Sequence, residues 1–333
     1  MVGMAVLGCG RIGRMHARNL SQHPRVELIS VFDIVARSAA DTAAELGVKA
    51  SPSVDEILAD PKVQAVLIAT STDTHVPLIT ASVKAGKAVL CEKPIDLDLQ
   101  RARQGWQQIE KLNPVIMIGF NRRFDPSFRS LRDRLQAGEI GKLELAAITS
   151  RDPAPPPPAY IKVSGGLFRD MTIHDFDMAR FLAGDIEEVF AFGSNVVDPE
   201  IGKLGDIDTC SLTLRSKSGA LVQISNSRRC AYGYDQRVEV FGADGMLKAG
   251  NHRDTSVEAW SSGRTAAMEP VLHFFIERYR RAYDAEINSF VEAFEKGSPM
   301  SPDYSDGLAA LELAAAAEES LRSGKAVKVS AVR

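Results

Sequence analysis

The sequence has few cysteines and lacks a long hydrophobic segment. Four cysteines occur among its 333 residues, and no two of them form a C-x-x-C pair. This spacing argues against a disulfide framework and a zinc–thiolate site, so we expect reduced structural thiols. No segment approaches the roughly 18 apolar residues that a membrane span needs. The start of the chain also lacks the basic region of a signal peptide, and we therefore expect a cytoplasmic protein.

An excess of charge of one sign is also absent. The formal net charge is -3 with 25% charged residues, which argues against nucleic acid and membrane surfaces as partners. We expect the partner to be a small molecule. A hydrophobic content of 45% over this length is sufficient for two domains, each with its own buried core.

Short apolar runs alternate with helical patterns from residue 3 to about residue 120. This alternation predicts an α/β domain over residues 1–120, a doubly wound parallel sheet of the Rossmann type. The apolar runs are nearly continuous, which is typical of strands that are buried on both faces. They cover residues 26–32, 63–69, 88–90 and 115–118.

The pattern changes after residue 120, and we predict a second domain over residues 121–333. Runs with alternating polarity predict an α+β domain with an open, largely antiparallel sheet. The prolines within residues 152–158 predict an extended loop. The predicted strands are 143–149, 189–195, 209–215, 220–227 and 237–241, and helical patterns cover 126–137, 270–296 and 305–323.

The first run leads directly into the segment Gly8-Cys9-Gly10-Arg11-Ile12-Gly13, which a helical pattern follows. This G-x-G-x-x-G spacing is typical of dinucleotide binding. Gly8 permits a tight turn, Gly10 lets the backbone approach a pyrophosphate, and Gly13 lets the helix pack on the strand. The start of the helix supplies amide donors and a positive dipole. We therefore predict cofactor contacts from Gly8 through Gly13, including Arg11 and Ile12.

Asp33 follows the next predicted strand, about 20 residues after the last glycine. A carboxylate here binds the adenosine ribose hydroxyls and repels a 2′-phosphate, so NAD is favoured over NADP. Arg37 lies nearby and would tolerate some phosphate. Thr70, Ser71 and His75 follow another strand and are predicted to line the cofactor, with His75 in packing and not in catalysis. The hydroxyls within the segment from Thr72 to Thr74 fit helix capping equally well.

Glu92-Lys93-Pro94 places a lysine at a strand end, the same edge of the sheet as the glycine loop. In the second domain, Asp170 and His174 are four residues apart and face one side of a helix if the segment is coiled. Oxidation of a secondary alcohol needs a base, which we assign to His174. Asp170 would orient the imidazole, and Lys93 would hold the substrate oxygen. The alternative for His174 is a packing residue.

Two further interpretations of the same segment remain open. Thr172 and Asp175 resemble a capping pair, which would give Asp175 a structural role and place His174 in the first turn of a helix. The helix dipole there would favour a neutral imidazole. Asp170, His174 and Asp177 also resemble metal ligands, but no second histidine or cysteine stands at ligand spacing, so we expect no metal.

Three motifs are separated along the chain, namely Gly8 to Gly13, Glu92-Lys93-Pro94 and Asp170 to His174. With them, the sequence resembles the Gfo/Idh/MocA oxidoreductase family over essentially its whole length. The segments 119–125, 226–229 and 232–242 add to the resemblance. It implies NAD-dependent oxidation of a cyclic polyol, myo-inositol at its 2-hydroxyl, to a keto-inositol (scyllo-inosose). It also implies that Lys93, Asp170 and His174 form the catalytic set, that Glu92 and Lys93 border the cofactor, and that a homotetramer forms through the open sheets.

A neutral polyol calls for several short polar contacts. Candidates for substrate binding are Asn121, Arg123, Asp152, Thr172 and Tyr232. Three of them have structural alternatives. Arg123 would form an ion pair, Tyr232 would pack at a strand edge, and Asp152 would cap the proline loop. Other functions also remain open, namely a dehydrogenase of scyllo-inositol or an aldose, an NAD-binding regulator, and an interaction protein that exposes its second sheet.

Overall fold

The chain forms two compact units in a computed structural model that describes residues 1–329. The first unit comprises Met1–Asn121 and Tyr283–Leu311, and among the described residues the second comprises Arg122–Ala282 and residues 312–329. The first of these changes follows residue 121, one residue after the predicted boundary, and the first unit also includes Tyr283–Leu311, which the prediction assigned to the second domain. The predicted domain bounds stay predictions. Residues 330–333, also placed in the predicted second domain, lie outside the described residues.

The first unit contains the predicted parallel sheet. Its six strands are in the order β3-β2-β1-β4-β5-β6, and all of their pairings are parallel. This confirms the Rossmann-type α/β prediction, because continuous apolar strands suit a sheet that is buried on both faces. The elements are β1 Val2–Leu7, α1 Arg11–Gln22, β2 Val26–Phe32, α2 Ala36–Leu46, β3 Lys49–Ala50, α3 Val54–Ala59, β4 Ala65–Ile68, α4 His75–Lys84, β5 Ala88–Glu92, α5 Leu99–Ile109 and β6 Ile116–Gly119.

The second unit is built around a seven-stranded sheet in the order β12-β11-β7-β10-β9-β8-β15. Only the pairing of β7 with β10 is parallel among these described strands, which confirms a largely antiparallel sheet. A separate hairpin joins β13 to β14. The elements are α6 Pro126–Gln136, β7 Leu143–Arg151, α7 Pro158–Ser164, α8 Ile173–Ala183, β8 Ile186–Ser194, α9 Pro199–Lys203, β9 Thr209–Ser216, β10 Leu221–Ser227, β11 Asp235–Gly242, β12 Gly245–Ala249, β13 Glu258–Ser261, β14 Arg264–Met268, α10 Phe275–Arg278, α11 Arg280–Lys296, α12 Tyr304–Ser323 and β15 Val327–Lys328.

The proline run ends differently from the prediction of a loop through residue 158. Residues 152–157 are extended or irregular, but Pro158 is the first residue of α7. A proline fits the first helical position because the amide hydrogen it lacks has no intrahelical acceptor there. The loop therefore delivers the chain into a short helix that carries Tyr160.

None of the helices within residues 1–329 combines the length and the apolar character that crossing a membrane requires.

Candidate active site

The glycine loop at the carboxyl end of β1 has the geometry that each glycine was predicted to supply. Gly8 has φ +100°, and a Cβ on it would lie 2.5 Å from the carbonyl oxygen of Ala69. A Cβ on Gly13 would lie 1.9 Å from the carbonyl oxygen of Gly8, so only glycine lets α1 pack this closely. Gly10 faces open space, with no atom within 4 Å of a Cβ position. The loop therefore leaves room for a pyrophosphate beside Gly10.

The start of α1 is free of side-chain capping. Gly10 occupies the N-cap position and no side chain there accepts a hydrogen bond from the helix amides. These amides and the helix dipole suit an anionic ligand. Arg14 Nε donates to the Cys9 carbonyl over 3.2 Å and steadies the loop from within the helix. The residues present thus fit the phosphates of a dinucleotide.

Asp33 is attached to the glycine loop by its side chain. Its Oδ2 accepts a hydrogen bond from the Cys9 amide over 2.7 Å, and its Oδ1 accepts one from the Val35 amide over 2.8 Å. The carboxylate therefore lies beside the loop, where it was predicted to meet the ribose. Arg37, whose side chain is exposed, lies 3.8 Å from Asp41.

His75 joins the two cofactor-side loops of the first unit. Its Nδ1 lies 2.8 Å from the Pro94 carbonyl and its Nε2 lies 3.2 Å from the Thr70 carbonyl, and the residue is buried. Burial lowers the pKa of this imidazole, so the ring is neutral near pH 7 and donates a hydrogen bond to one of the two carbonyls. The position agrees with a packing residue. Contact of His75 with the cofactor stays a prediction.

The hydroxyls at the start of α4 bond to the loop and to one another. Thr74 stands at the N-cap position, but no side chain caps the helix there. Its hydroxyl donates to the Ser71 carbonyl over 2.7 Å and also lies 2.7 Å from the Thr70 hydroxyl. Capping of α4 by Thr74 is therefore wrong. Thr70 and Ser71 as cofactor contacts stay predictions.

The end of β5 carries a buried acid–base pair beside Lys93. Glu92 Oε1 lies 2.8 Å from His16 Nε2, and Glu92 Oε2 accepts from the Lys93 amide over 3.3 Å. Burial opposes ionisation of Glu92, but the hydrogen bond and charge of His16, with the charge of Lys93, hold its pKa below the usual value. Glu92 therefore carries a negative charge beside Lys93. His16, which occupies the buried face of α1, was not among the predicted site residues.

Glu286 of α11 is a second buried acid, close to Glu92, and it was not among the predicted site residues. The residue has no exposed surface, and neither carboxyl oxygen has a hydrogen-bond partner among the described residues. Burial and the nearby charge of Glu92 raise its pKa well above the ordinary range. Its helical spacing among apolar residues was the only sequence signal that it faces the core.

In the second unit, Asp170 lies in a π-helical turn, Phe168–Thr172, that continues directly into α8. Its Oδ1 accepts a hydrogen bond from the Tyr160 hydroxyl over 2.9 Å, and its Oδ2 accepts one from Arg228 Nη1 over 3.0 Å. His174 is the second residue of α8 and is half-buried. The coiled segment is thus present, as the four-residue spacing of Asp170 and His174 requires.

The predicted capping pair of Thr172 and Asp175 is wrong. Thr172 is helical and makes no side-chain cap, because its hydroxyl donates to Asn226 Oδ1 over 2.7 Å. Asp175 is completely buried and accepts from Arg122 Nη1 and the Ser150 hydroxyl, each over 2.6 Å. Asp175 therefore has the structural role that was considered for it, as the centre of a buried polar network and not as a cap.

The five residues predicted to bind substrate lie in different surroundings. Arg123 is buried and forms an ion pair of 2.6 Å with Asp177, which was its structural alternative. Tyr232 is 47% exposed and donates to Asp235 Oδ2 over 2.7 Å. Asn121 and Thr172 are buried, and Asp152, beside the proline loop, is half-buried. Substrate contacts of all five stay predictions.

The parallel sheet, its open glycine loop and the carboxylate beside that loop define a dinucleotide-binding protein. Family models agree over both parts of the chain. Residues 2–120 match an oxidoreductase family with an NAD-binding Rossmann fold, and residues 128–248 match the GFO/IDH/MocA C-terminal domain. The chain belongs to the Gfo/Idh/MocA oxidoreductase family, and its cofactor is NAD.

Named relatives extend over the full length. The chain is 46% identical to a myo-inositol 2-dehydrogenase of Thermotoga maritima, with 99% of each chain covered. It is similar to the crystal structure of a myo-inositol dehydrogenase from Corynebacterium glutamicum, with 45% identity, a TM-score of 0.97 and 100% of each chain covered. A scyllo-inositol dehydrogenase from Lactobacillus casei, solved with NAD(H) and scyllo-inositol, is 28% identical, with a TM-score of 0.91 and coverage of 98% of this chain and 99% of that one.

Proposed function

We propose that this protein oxidises myo-inositol at its 2-hydroxyl to scyllo-inosose with NAD as the acceptor. The observation that carries the proposal is the full-length similarity to myo-inositol dehydrogenases. The chain also has Lys93 directly after β5, Asp170 in the turn that leads into α8, and His174 at the start of that helix. NAD, when bound, takes up the hydride. The glycine loop and Asp33 would hold it through its pyrophosphate and ribose.

The chain's own residues would handle the oxygen and its proton. His174 would accept the hydroxyl proton as general base, a contribution of typically 10²- to 10⁴-fold in rate. Asp170 would orient the imidazole and stabilise it when charged. Lys93 would hold the reacting oxygen through its ammonium group.

We also propose self-association through the open face of the seven-stranded sheet, as a homotetramer. Four apolar side chains form one row across neighbouring strands, because Met246 pairs with Phe241, Phe241 with Leu145, and Leu145 with Leu221. They are 52, 44, 47 and 39% exposed in that order. A continuous exposed apolar row is typical of an interaction surface.

We also propose a cytoplasmic location. The four cysteines are buried and none of them forms a disulfide, which agrees with a reducing compartment.

The test is formation of NADH on a panel of myo-inositol, scyllo-inositol and aldoses, with NAD and NADP compared. We expect the highest kcat/KM on myo-inositol with NAD. We expect His174→Ala to lose about 10²- to 10⁴-fold in kcat while binding NADH normally. Turnover of no polyol by the unaltered protein would refute the proposal, and tight NADH binding without turnover would instead indicate a regulator.

A second candidate substrate is scyllo-inositol. It is supported by the similarity to the scyllo-inositol dehydrogenase, since the two inositols differ in the configuration of one hydroxyl. A higher kcat/KM on scyllo-inositol than on myo-inositol in the same panel would favour this candidate.

A further inference from the structure

Arg228 is the largest completely buried side chain among residues 1–329. It follows β10 directly, is 1% exposed, and is fixed at its backbone by a hydrogen bond of 2.9 Å from its amide to the Asp208 carbonyl. Its Nη1 donates to Asp170 Oδ2 over 3.0 Å. Its Nε and Nη2 have no hydrogen-bond partner among residues 1–329. A buried guanidinium with so few bonds is costly to keep, which indicates that its charge serves a purpose.

The charges around Arg228 are two carboxylates. Asp170 is the nearer, and Asp206 Oδ2 lies 3.8 Å from Arg228 Nη2. Asp206 is itself anchored, because its Oδ1 accepts from the Leu167 amide over 2.9 Å. Arg228 therefore lies between Asp206, whose side chain is fixed by the Leu167 amide, and Asp170, in the turn that leads into α8.

Tyr160 contacts the other oxygen of Asp170. It is carried by α7, the short helix that the proline run introduces, and its hydroxyl donates to Asp170 Oδ1 over 2.9 Å. One donor on each oxygen fixes the plane of the carboxylate. Each oxygen retains a second lone pair, so Asp170 can still accept a hydrogen bond from an imidazole.

We propose that Arg228 and Tyr160 are positioning residues that hold the Asp170 carboxylate in one orientation and, through it, the imidazole of His174. This inference rests on the proposed function, in which Asp170 orients His174. It also gives the proline run a role, since the run delivers Tyr160 to Asp170.

The experiment compares Arg228→Met, Arg228→Lys and Tyr160→Phe with Arg229→Met, an exposed neighbour, as the matched control. We expect Arg228→Met to lower kcat about 10- to 100-fold, as loss of orientation does. Arg228→Lys should recover part of this loss. Tyr160→Phe should lower kcat about tenfold, the equivalent of one hydrogen bond to a charged carboxylate. NADH affinity and KM should change less than kcat, and Arg229→Met should behave as the unaltered protein.

A second readout does not depend on turnover. In ¹⁵N-labelled protein, the imidazole signals of His174, identified by their loss in His174→Ala, report its tautomer and charge. We expect these signals to shift in Arg228→Met and Tyr160→Phe but not in Arg229→Met. If folded Arg228→Met and Tyr160→Phe keep normal kcat and normal His174 signals, the inference is overturned. If the signals shift while the unaltered protein turns over no polyol, the inference stands and the proposed function fails. If Arg228→Met does not fold, Tyr160→Phe alone decides by both readouts.

Discussion

Glu286 is a carboxyl group that the first unit buries without a hydrogen-bond partner among its described residues. Its raised pKa keeps it protonated in the folded protein at pH values where an unfolded chain ionises it. Folding therefore binds a proton, and the stability of the protein falls as pH rises above the ordinary glutamate pKa. Neutral Glu286 also spares the nearby Glu92 a second buried negative charge.

Glu286→Gln removes this proton uptake. We expect the stability of the variant relative to the unaltered protein to improve with rising pH between about 5 and 8, by up to about 1.4 kcal/mol per pH unit. Thermal or urea unfolding across this range measures it. Glu292→Gln, on the exposed face of the same helix, is the control and should show no such trend. A pH-independent difference between Glu286→Gln and the unaltered protein would contradict the assignment.

At the scale of elements, the turn from β1 to α1 separates two uses of glycine. Gly13→Ala places a methyl group against the Gly8 carbonyl, so we expect a loss of stability of about 1–3 kcal/mol from overpacking. Gly10→Ala meets no protein atom, so we expect an unchanged Tm but weaker NADH binding. Scanning calorimetry and NADH fluorescence titration distinguish the two effects. Normal NADH affinity in Gly10→Ala would show that the pyrophosphate lies elsewhere.

The sequence predicts well those elements whose burial produces a recognisable local pattern of apolar residues. The strand Val26–Phe32 has its predicted bounds, because a buried parallel strand is apolar throughout. The hairpin of β13 and β14 was not predicted. Almost all of its side chains are exposed, so apolar and polar residues do not alternate along its strands. Thr172 was misjudged for a different reason. Its spacing to Asp175 fits a cap, but Asn226, distant in sequence, takes its hydroxyl.

The same limit explains which parts of the candidate site were found. Gly8, Gly10, Gly13, Asp33 and Lys93 follow from motifs in which neighbours along the chain set the geometry. His16 and Arg228 contact their acids across 76 and 58 positions of sequence, respectively. A single sequence contains no local signal for such pairs, so they are identified only from the folded structure.

At the scale of the whole molecule, the apolar row on the seven-stranded sheet is the surface through which we propose that copies of the protein associate. The opposite face of the same strands is buried, including Ala146, Val222 and Val240, so the exposed row is not needed for the core of the unit. An exposed row of this kind favours association with a second copy, because each copy offers the same surface.

Leu145→Lys combined with Phe241→Lys introduces two cations into the middle of this row. We expect the unaltered protein to have the mass of four chains by light scattering, and the double variant to have a lower mass. The folded unit should persist, because both side chains are exposed and the buried face is untouched. Leu112→Lys, an exposed apolar position in the first unit, is the control and should keep the mass of the unaltered protein. An unaltered protein that is monomeric, or a double variant that keeps its full mass, would mean that this face does not join the copies.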